Sequence, residues 1–514
     1  MAAQALVRVL YLYETNSLAV PERLVRVKVM VVLFQIMSRV LQHQNEDGSW
    51  GTLGSREETS YAILTLANVS SLPFLNPVAG QIESSVSRGR KYLKSIKALE
   101  EIKLTPVDYI WGGKVSYGVE NVCHSYVLAA LNTPIPQYLL GPRVSGLVNI
   151  PQKRVTSFTK FYGKLPMFSE VESWKLKLWL MEGYLFLPDL ERMRVGVFSR
   201  NGEVEDKYFE YLPFSWTGPN GLEDIQVGAQ TLFDMMMISM INYQVDEFFD
   251  GVVSNGDLKA ISELRYTIES LFSKRASSKQ QNGVKNGQKN GTGKDLMTDF
   301  YEQLDEFCQF VLSYPRIQNA STRDKTQLEL ELKAYLLAHT QQCEDSIRLR
   351  RLNSKGISSG PNTSYIRWVQ TIATDHLSSR YAFAFLTCLL GNNEEDYLPN
   401  AEVRYIAQDC CTHLSVVCRM FNDYGSLDRD LQEAHMNSLF FPEFGTSSED
   451  GRDGRNELVR LAQYERKLLS LAFEELENAC GTRYPRIYQI MRLFYNANEI
   501  YTEVYEIRDP SSWV

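Results

Sequence analysis

Apolar residues recur at three- and four-residue spacing along almost the whole chain, and that periodicity confines it to packed helices. Residues 25–41, 60–69, 230–249, 328–348, 380–390, 457–477 and 484–505 are long, rich in Leu, Ala, Met, Glu and Gln, and carry this spacing. No convincing series of alternating strands accompanies them. The expected fold class is therefore all-α. With 514 residues and 44% hydrophobic content, the chain can build more than one core, and two to four domains are expected.

Two acidic segments stand out against this background: Asp246-Glu247-Phe248-Phe249-Asp250 and Asn422-Asp423-Tyr424-Gly425-Ser426-Leu427-Asp428-Arg429-Asp430. On a helix rising about 1.5 Å per residue, Asp246 and Asp250 leave one face a turn apart, and Asn422, Ser426 and Asp430 form a second ladder. Both ladders offer oxygen. Mg²⁺ prefers oxygen donors and is usually held by a few protein oxygens together with substrate phosphates. Facing each other, the two ladders would trap a diphosphate.

Other functions are excluded by composition. A net charge of -8 argues against a nucleic-acid partner, whose phosphates demand a basic surface. The eight cysteines show no CxxC pair or regular framework, as expected of reduced, buried thiols in an intracellular protein. The first residues lack the pattern of a secretory leader, so none is expected, and the apolar run at 29–37 is too short for a transmembrane segment. These features read as a cytoplasmic enzyme. There is no GxxxxGK[ST] loop and no HExxH, and the six histidines lack metal-ligand spacing. His339 is expected to satisfy a local hydrogen bond.

Three polar stretches mark the organisation. Residues 273–295 are glycine-, lysine- and asparagine-rich and are expected to form a mobile insertion. A second polar stretch covers 446–455, where a loop could fold over a nearby cavity. A weaker boundary at 141–153 divides the chain into an N-terminal unit, 1–148, and a C-terminal unit, 149–514, which carries both ladders.

In order along the chain come Gln44-Asn45-Glu46-Asp47-Gly48-Ser49-Trp50-Gly51, Glu57-Glu58-Thr59-Ser60-Tyr61-Ala62, Glu182-Gly183-Tyr184-Leu185-Phe186, Glu205-Asp206-Lys207-Tyr208-Phe209-Glu210, Pro213-Phe214-Ser215-Trp216-Thr217 and the two ladders. Together they resemble the C-terminal part of the fungal bifunctional diterpene cyclases of the copalyl diphosphate synthase/ent-kaurene synthase type. The resemblance implies a class I terpene synthase helical bundle, the α domain, preceded by a partial α-helical β domain in which Trp50 packs between helices. It implies a trinuclear Mg²⁺ cluster on Asp246, Asp250, Asn422, Ser426 and Asp430, with Glu247 in support. Asp430 stands where Glu is more usual, a shorter reach toward a metal. Diphosphate contacts would come from Arg380 or Arg419, whereas Arg429 would point away from the ladder. Cation-stabilising faces would come from Phe214, Trp216, Phe248, Phe249, Phe421 and Tyr424; for each of these aromatics, core packing is the competing reading.

The Asp-x-Asp-Asp motif of class II cyclisation is absent from this sequence, and the chain is expected to begin after it. The implied substrate is a copalyl-type diphosphate, the ent isomer, going to a kaurene-like hydrocarbon. Another copalyl isomer or geranylgeranyl diphosphate is the near alternative. A noncatalytic scaffold for a separate class II cyclase is the alternative of a different kind.

Overall fold

The computed structural model describes residues 2–97, 110–112, 115–117, 119–135, 140–198, 207–225, 227–254, 258–278, 296–353, 363–433, 435–445 and 452–507. These residues are overwhelmingly helical. Among them the only strands are Ile110–Gly112 and Val115–Tyr117, which pair antiparallel in a short hairpin. The described chain divides into two compact units, Met1–Asp189 with Trp216–Ala229, and Leu190–Ser215 with Gln230–Val514. The loop-rich stretch at 141–153 lies inside the first unit, where Pro142–Ser145 makes one helical turn and the Gln152–Tyr162 helix begins.

In the first unit the Arg56–Val69 helix shows how local sequence sets an element. Ser55 accepts a hydrogen bond from the Glu58 amide, and Glu57 and Glu58 in the first turn complement the helix dipole. The turn before it is built around Trp50. Asp47 accepts from the Ser49 amide (2.9 Å) and hydroxyl (2.7 Å), Gly48 adopts a φ of 92°, and the indole Nε1 donates to the Val40 carbonyl at 2.7 Å. The buried indole fits because Gly89 faces it; a Cβ there would lie 2.7 Å from the ring. Deeper in this unit Arg26 pairs with buried Asp189 at 3.1 Å, and Gln35 donates to buried Glu182 at 2.9 Å. Glu182 and Gln35 also line a cavity of about 220 Å³ with Asn220 and Asp224.

The second unit is assembled around the 33-residue Ala401–Glu433 helix, whose Asn400 cap accepts from the Val403 amide at 2.8 Å. Val403, Ala407, Cys410, Leu414, Val417 and Phe421 are buried at three- and four-residue spacing, so one stripe faces the core. Arg452–Cys480 and Pro485–Ile507 pack against it. Gly425 permits the second approach: a Cβ there would meet the Tyr505 carbonyl at 2.7 Å. Another helical run, 365–376, contains a π-helical stretch at Val369–Ala373 and stops at Leu377–Ser378. Ser378 takes a left-handed φ of 61°, and a new helix, Ser379–Leu390, starts there.

Part of the expected insertion is helix: 273–278 continue Leu258–Ser278, since Lys274, Arg275 and Ala276 are good helix formers. Residues 279–295 lie outside the described residues, as do 446–451, while 452–455 open the Arg452–Cys480 helix. None of the eight cysteines is in a disulfide, and seven of them are buried. Among the described residues, no helix is long and apolar enough to cross a membrane.

Candidate active site

The first ladder lies on the Ala229–Ser254 helix, whose stretch Met235–Ile238 is buried while the C-terminal turns reach solvent. Asp246 and Asp250 project there with side chains 49% and 55% exposed, and Glu247 is exposed beside them. Desolvation, then the charge of Asp250, pushes the Asp246 carboxyl well above the usual carboxylate range, against the pull of Arg419. Burial also raises Asp250, with His435 opposing, Glu433 adding, and Arg429 and Arg350 opposing. Solvent blunts both rises at this exposure. Two carboxylates that disfavour each other's charge make an environment that a divalent cation relieves.

The second ladder lies within the Ala401–Glu433 helix, with Asn422 half-buried and Ser426 and Asp430 buried. Ser426 Oγ donates to Asp430 Oδ2 at 2.7 Å, and Asn437 Nδ2 donates to the same oxygen at 2.8 Å. Ser426 keeps its lone pairs while donating, so its oxygen and those of Asp246 and Asp250 suit a hard cation. Asp430 is more fully engaged, with Arg429 Nε 3.7 Å from its other oxygen. His435 links the first ladder to the end of the helix that carries the second. Asp250 feels the charges of Arg429 and Glu433, and His435 Nε2 lies 3.4 Å from Asp250 while its Nδ1 lies 3.4 Å from Glu433. Arg429 does not turn away from the ladder: its Nε lies 3.7 Å from Asp430 and 4.0 Å from Glu433 on its own helix.

The two candidate phosphate contacts are differently placed. Arg380 donates to Asp375 and Thr412, each at 2.8 Å, and lines a cavity of about 300 Å³ with Glu331, Arg404 and Asp409. Arg419 is buried, donates to Asp423 and to the Met436 carbonyl, and stacks over Trp368 at 5.0 Å. Its charge is felt at Asp246. Arg419 therefore belongs to the acidic neighbourhood, and Arg380 to a separate one.

Among the aromatic candidates, Phe214 and Trp216 are buried and fall in different units. Phe248 packs on Phe198, Phe249 and Phe300. Phe421 carries the Arg466 guanidinium 4.4 Å over its ring and sits with Trp368 and Met420 in a hydrophobic cluster, with Tyr424 at its edge. Phe249 stacks on the His339 ring at 4.7 Å, next to Asp246. A tyrosine cluster missed by the sequence reading also lies nearby. Tyr243, one turn before Asp246, stacks on Tyr208 at 5.0 Å and meets Tyr211 edge-on at 6.2 Å; Tyr211 in turn meets Tyr501 at 6.0 Å. Only the position of Tyr243 on the Asp246 face hinted at it.

Histidines missed by spacing converge here as well. His339, on Thr322–Asn353, and His376, on Thr374–His376, have ring centroids 4.2 Å apart, and His339 Nε2 lies 3.6 Å from Asp246 Oδ1. Burial lowers His339 to about 3. Burial, then His339, Arg419 and His435, lowers His376 well below its ordinary value. Asp423 also went unnoticed. It accepts from the Ser438 amide at 2.7 Å and hydroxyl at 2.6 Å, and Arg419 Nε lies 2.9 and 3.0 Å from its two oxygens. Burial lifts it to about 6, with Arg419 opposing.

No protein-family model matches the chain. Pimaradiene synthase of Emericella nidulans is 34% identical over 99% of this chain and 54% of its own length. A bifunctional premutilin synthase of Rhodocybe pseudopiperita is 33% identical over 98% and 53%, and the ent-kaur-16-ene synthase of Fusarium fujikuroi is 31% identical over 100% and 55%. Along nearly its whole length the chain is similar to one part of these fungal diterpene synthases. It spans about half the length of these diterpene synthases. Among solved structures, abietadiene synthase from Abies grandis aligns with a TM-score of 0.41 at 15% identity, covering 90% of this chain and 55% of that one. In this chain His435 lies between Asp250 and Glu433 at the end of the Ala401–Glu433 helix, and His339 and His376 lie beside Asp246.

Proposed function

We propose that the chain is a class I diterpene synthase that, with Mg²⁺, ionises a copalyl-type diphosphate, the ent isomer, and cyclises the cation to a kaurene-like hydrocarbon with release of diphosphate. In this reading 149–514 is the α domain and 1–148 a partial β domain, acting in the cytoplasm on substrate supplied by a class II cyclase. The observation that supports it is His435, 3.4 Å from Asp250 on the first ladder's helix and 3.4 Å from Glu433 at the end of the second ladder's helix. Asp246, Asp250, Asn422, Ser426 and Asp430 would hold the metal. Bound there, Mg²⁺ supplies Lewis-acid stabilisation of charge developing on the leaving diphosphate.

The chain's own residues do the rest. Arg419, buried close to Asp246, adds positive potential on the diphosphate side. The Tyr208, Tyr211, Tyr243 and Tyr501 rings and Phe249 offer aromatic faces and limit water near the cation, each face worth about 1 to 2 kcal/mol when desolvated.

Purified protein incubated with Mg²⁺ and ent-copalyl diphosphate, with products read by gas chromatography, tests the proposal. A tetracyclic hydrocarbon is expected. Turnover only of another copalyl isomer or of geranylgeranyl diphosphate would correct the substrate. No hydrocarbon from any of them, despite a folded helical spectrum, would leave a scaffold for a class II cyclase.

A further inference from the structure

Three separate helical elements bring Asp246, His339 and His376 together, with one ligand atom from each within 4.8 Å of the others. Ligands of one metal with bonds of about 2.0 to 2.2 Å stand up to about 4.3 Å apart, so small side-chain adjustments close the set. His339 is 1% exposed, and its Nε2 lacks a hydrogen-bond partner among the described residues; His376 Nδ1 lacks one too. The 3.6 Å gap from His339 Nε2 to Asp246 is too long for a hydrogen bond. Leaving two imidazole nitrogens buried and unpaired carries a desolvation cost. One shared ligand would satisfy both nitrogens at once.

We infer that Asp246, His339 and His376 form a mixed nitrogen and oxygen metal site that takes a borderline divalent cation such as Mn²⁺, Co²⁺ or Zn²⁺ in preference to Mg²⁺. Imidazole suits these ions, whereas Mg²⁺ favours an all-oxygen shell. Aromatic packing holds the imidazole in place, since His339 lies flat on Phe249 at 4.7 Å and meets the Tyr335 edge at 4.6 Å, which fixes its plane. Neither nitrogen is committed to a hydrogen bond among the described residues, so each neutral ring has a lone pair to give. Asp246, half-exposed, supplies the negative charge and the way in from solvent. The inference rests on the proposed function only in taking Asp246 as a ligand, and it assigns that residue a nitrogen-bearing metal position.

The test uses the full chain stripped of metal with a chelator and titrated separately with Co²⁺ and Mg²⁺, following visible cobalt absorption and heats of binding. Co²⁺ is expected to bind at least about tenfold more tightly than Mg²⁺. His339→Phe, which keeps the flat ring, is expected to weaken Co²⁺ about 10- to 100-fold and to change the cobalt spectrum. His376→Phe, at a less buried position, carries the same expectation should His339→Phe fail to give a native circular dichroism spectrum. Co²⁺ binding no tighter than Mg²⁺, or a folded variant with unaltered Co²⁺ affinity and spectrum, would overturn the inference. Failure of the proposed function reads differently, as absent hydrocarbon from the unaltered chain with Mg²⁺.

Discussion

Replacing Asp423 by alanine should loosen the segment that carries His435 and Asn437 while leaving the helices intact. The carboxylate is buried, opposes Arg419 at 2.9 Å, and accepts from both the amide and the hydroxyl of Ser438. Removing one member of a buried pair leaves an uncompensated charge, which costs about 3 to 5 kcal/mol. The orphaned Ser438 amide adds about 1 kcal/mol or more unless water reaches it. A chain of two units need not unfold in one step, so the informative readout is local. Native-state hydrogen exchange at Ser438 should speed up at least a hundredfold, which corresponds to about 3 kcal/mol of lost protection. Protection within about threefold of the parent would refute the reasoning. It would mean that Asp423, raised to about 6, is held largely protonated and already forgoes the ion pair.

Asp246→Ala should nearly abolish hydrocarbon formation while the helical spectrum stays unchanged; activity like that of the parent would remove Asp246 from the site. Gly425→Ala places a methyl 2.7 Å from the Tyr505 carbonyl and 3.1 Å from its ring, a clash costing about 1 to 3 kcal/mol, so its thermal midpoint should fall, and a rise would contradict the close approach. Burial lifts Glu182 from 4.5 to about 7, with Gln35 opposing. The native chain therefore holds an extra proton between those values, and this residue's contribution to stability falls by about 3 kcal/mol as pH rises through that window. Glu182→Gln should flatten that fall in thermal melts from pH 4.5 to 7, and an unchanged slope would show that Glu182 does not cause it.

Periodicity made the helices legible because burial of a stripe such as Val403, Ala407, Cys410 and Leu414 needs no knowledge of the partner. The acidic ladders were legible for the same reason, since i and i+4 positions share a face whatever lies opposite. What lies opposite was not. His339 and His376 sit on different helical segments, and only the packing of both against the end of the Ala229–Ser254 helix brings them to Asp246. Gly425 has two sequence-level meanings, a turn residue or a missing Cβ, and only the nearness of Tyr505 decides for the second. Arg429 was misjudged because its guanidinium leans along its own helix toward Asp430 and Glu433, an orientation that position on the helix alone does not fix. The extension of Leu258–Ser278 into a polar stretch came from propensity that composition had masked.

The interruption at Ser378 has a further effect. In an unbroken helix, residues 376 and 380 would share a side, and any pressure on one would be felt by the other. With the backbone turned left-handed between them, His376 joins Asp246 and His339 while Arg380 joins Asp375 and Thr412. One kinked residue thereby partitions neighbouring positions between two chemically distinct districts, and each district is free to change its side chains without dragging the other along.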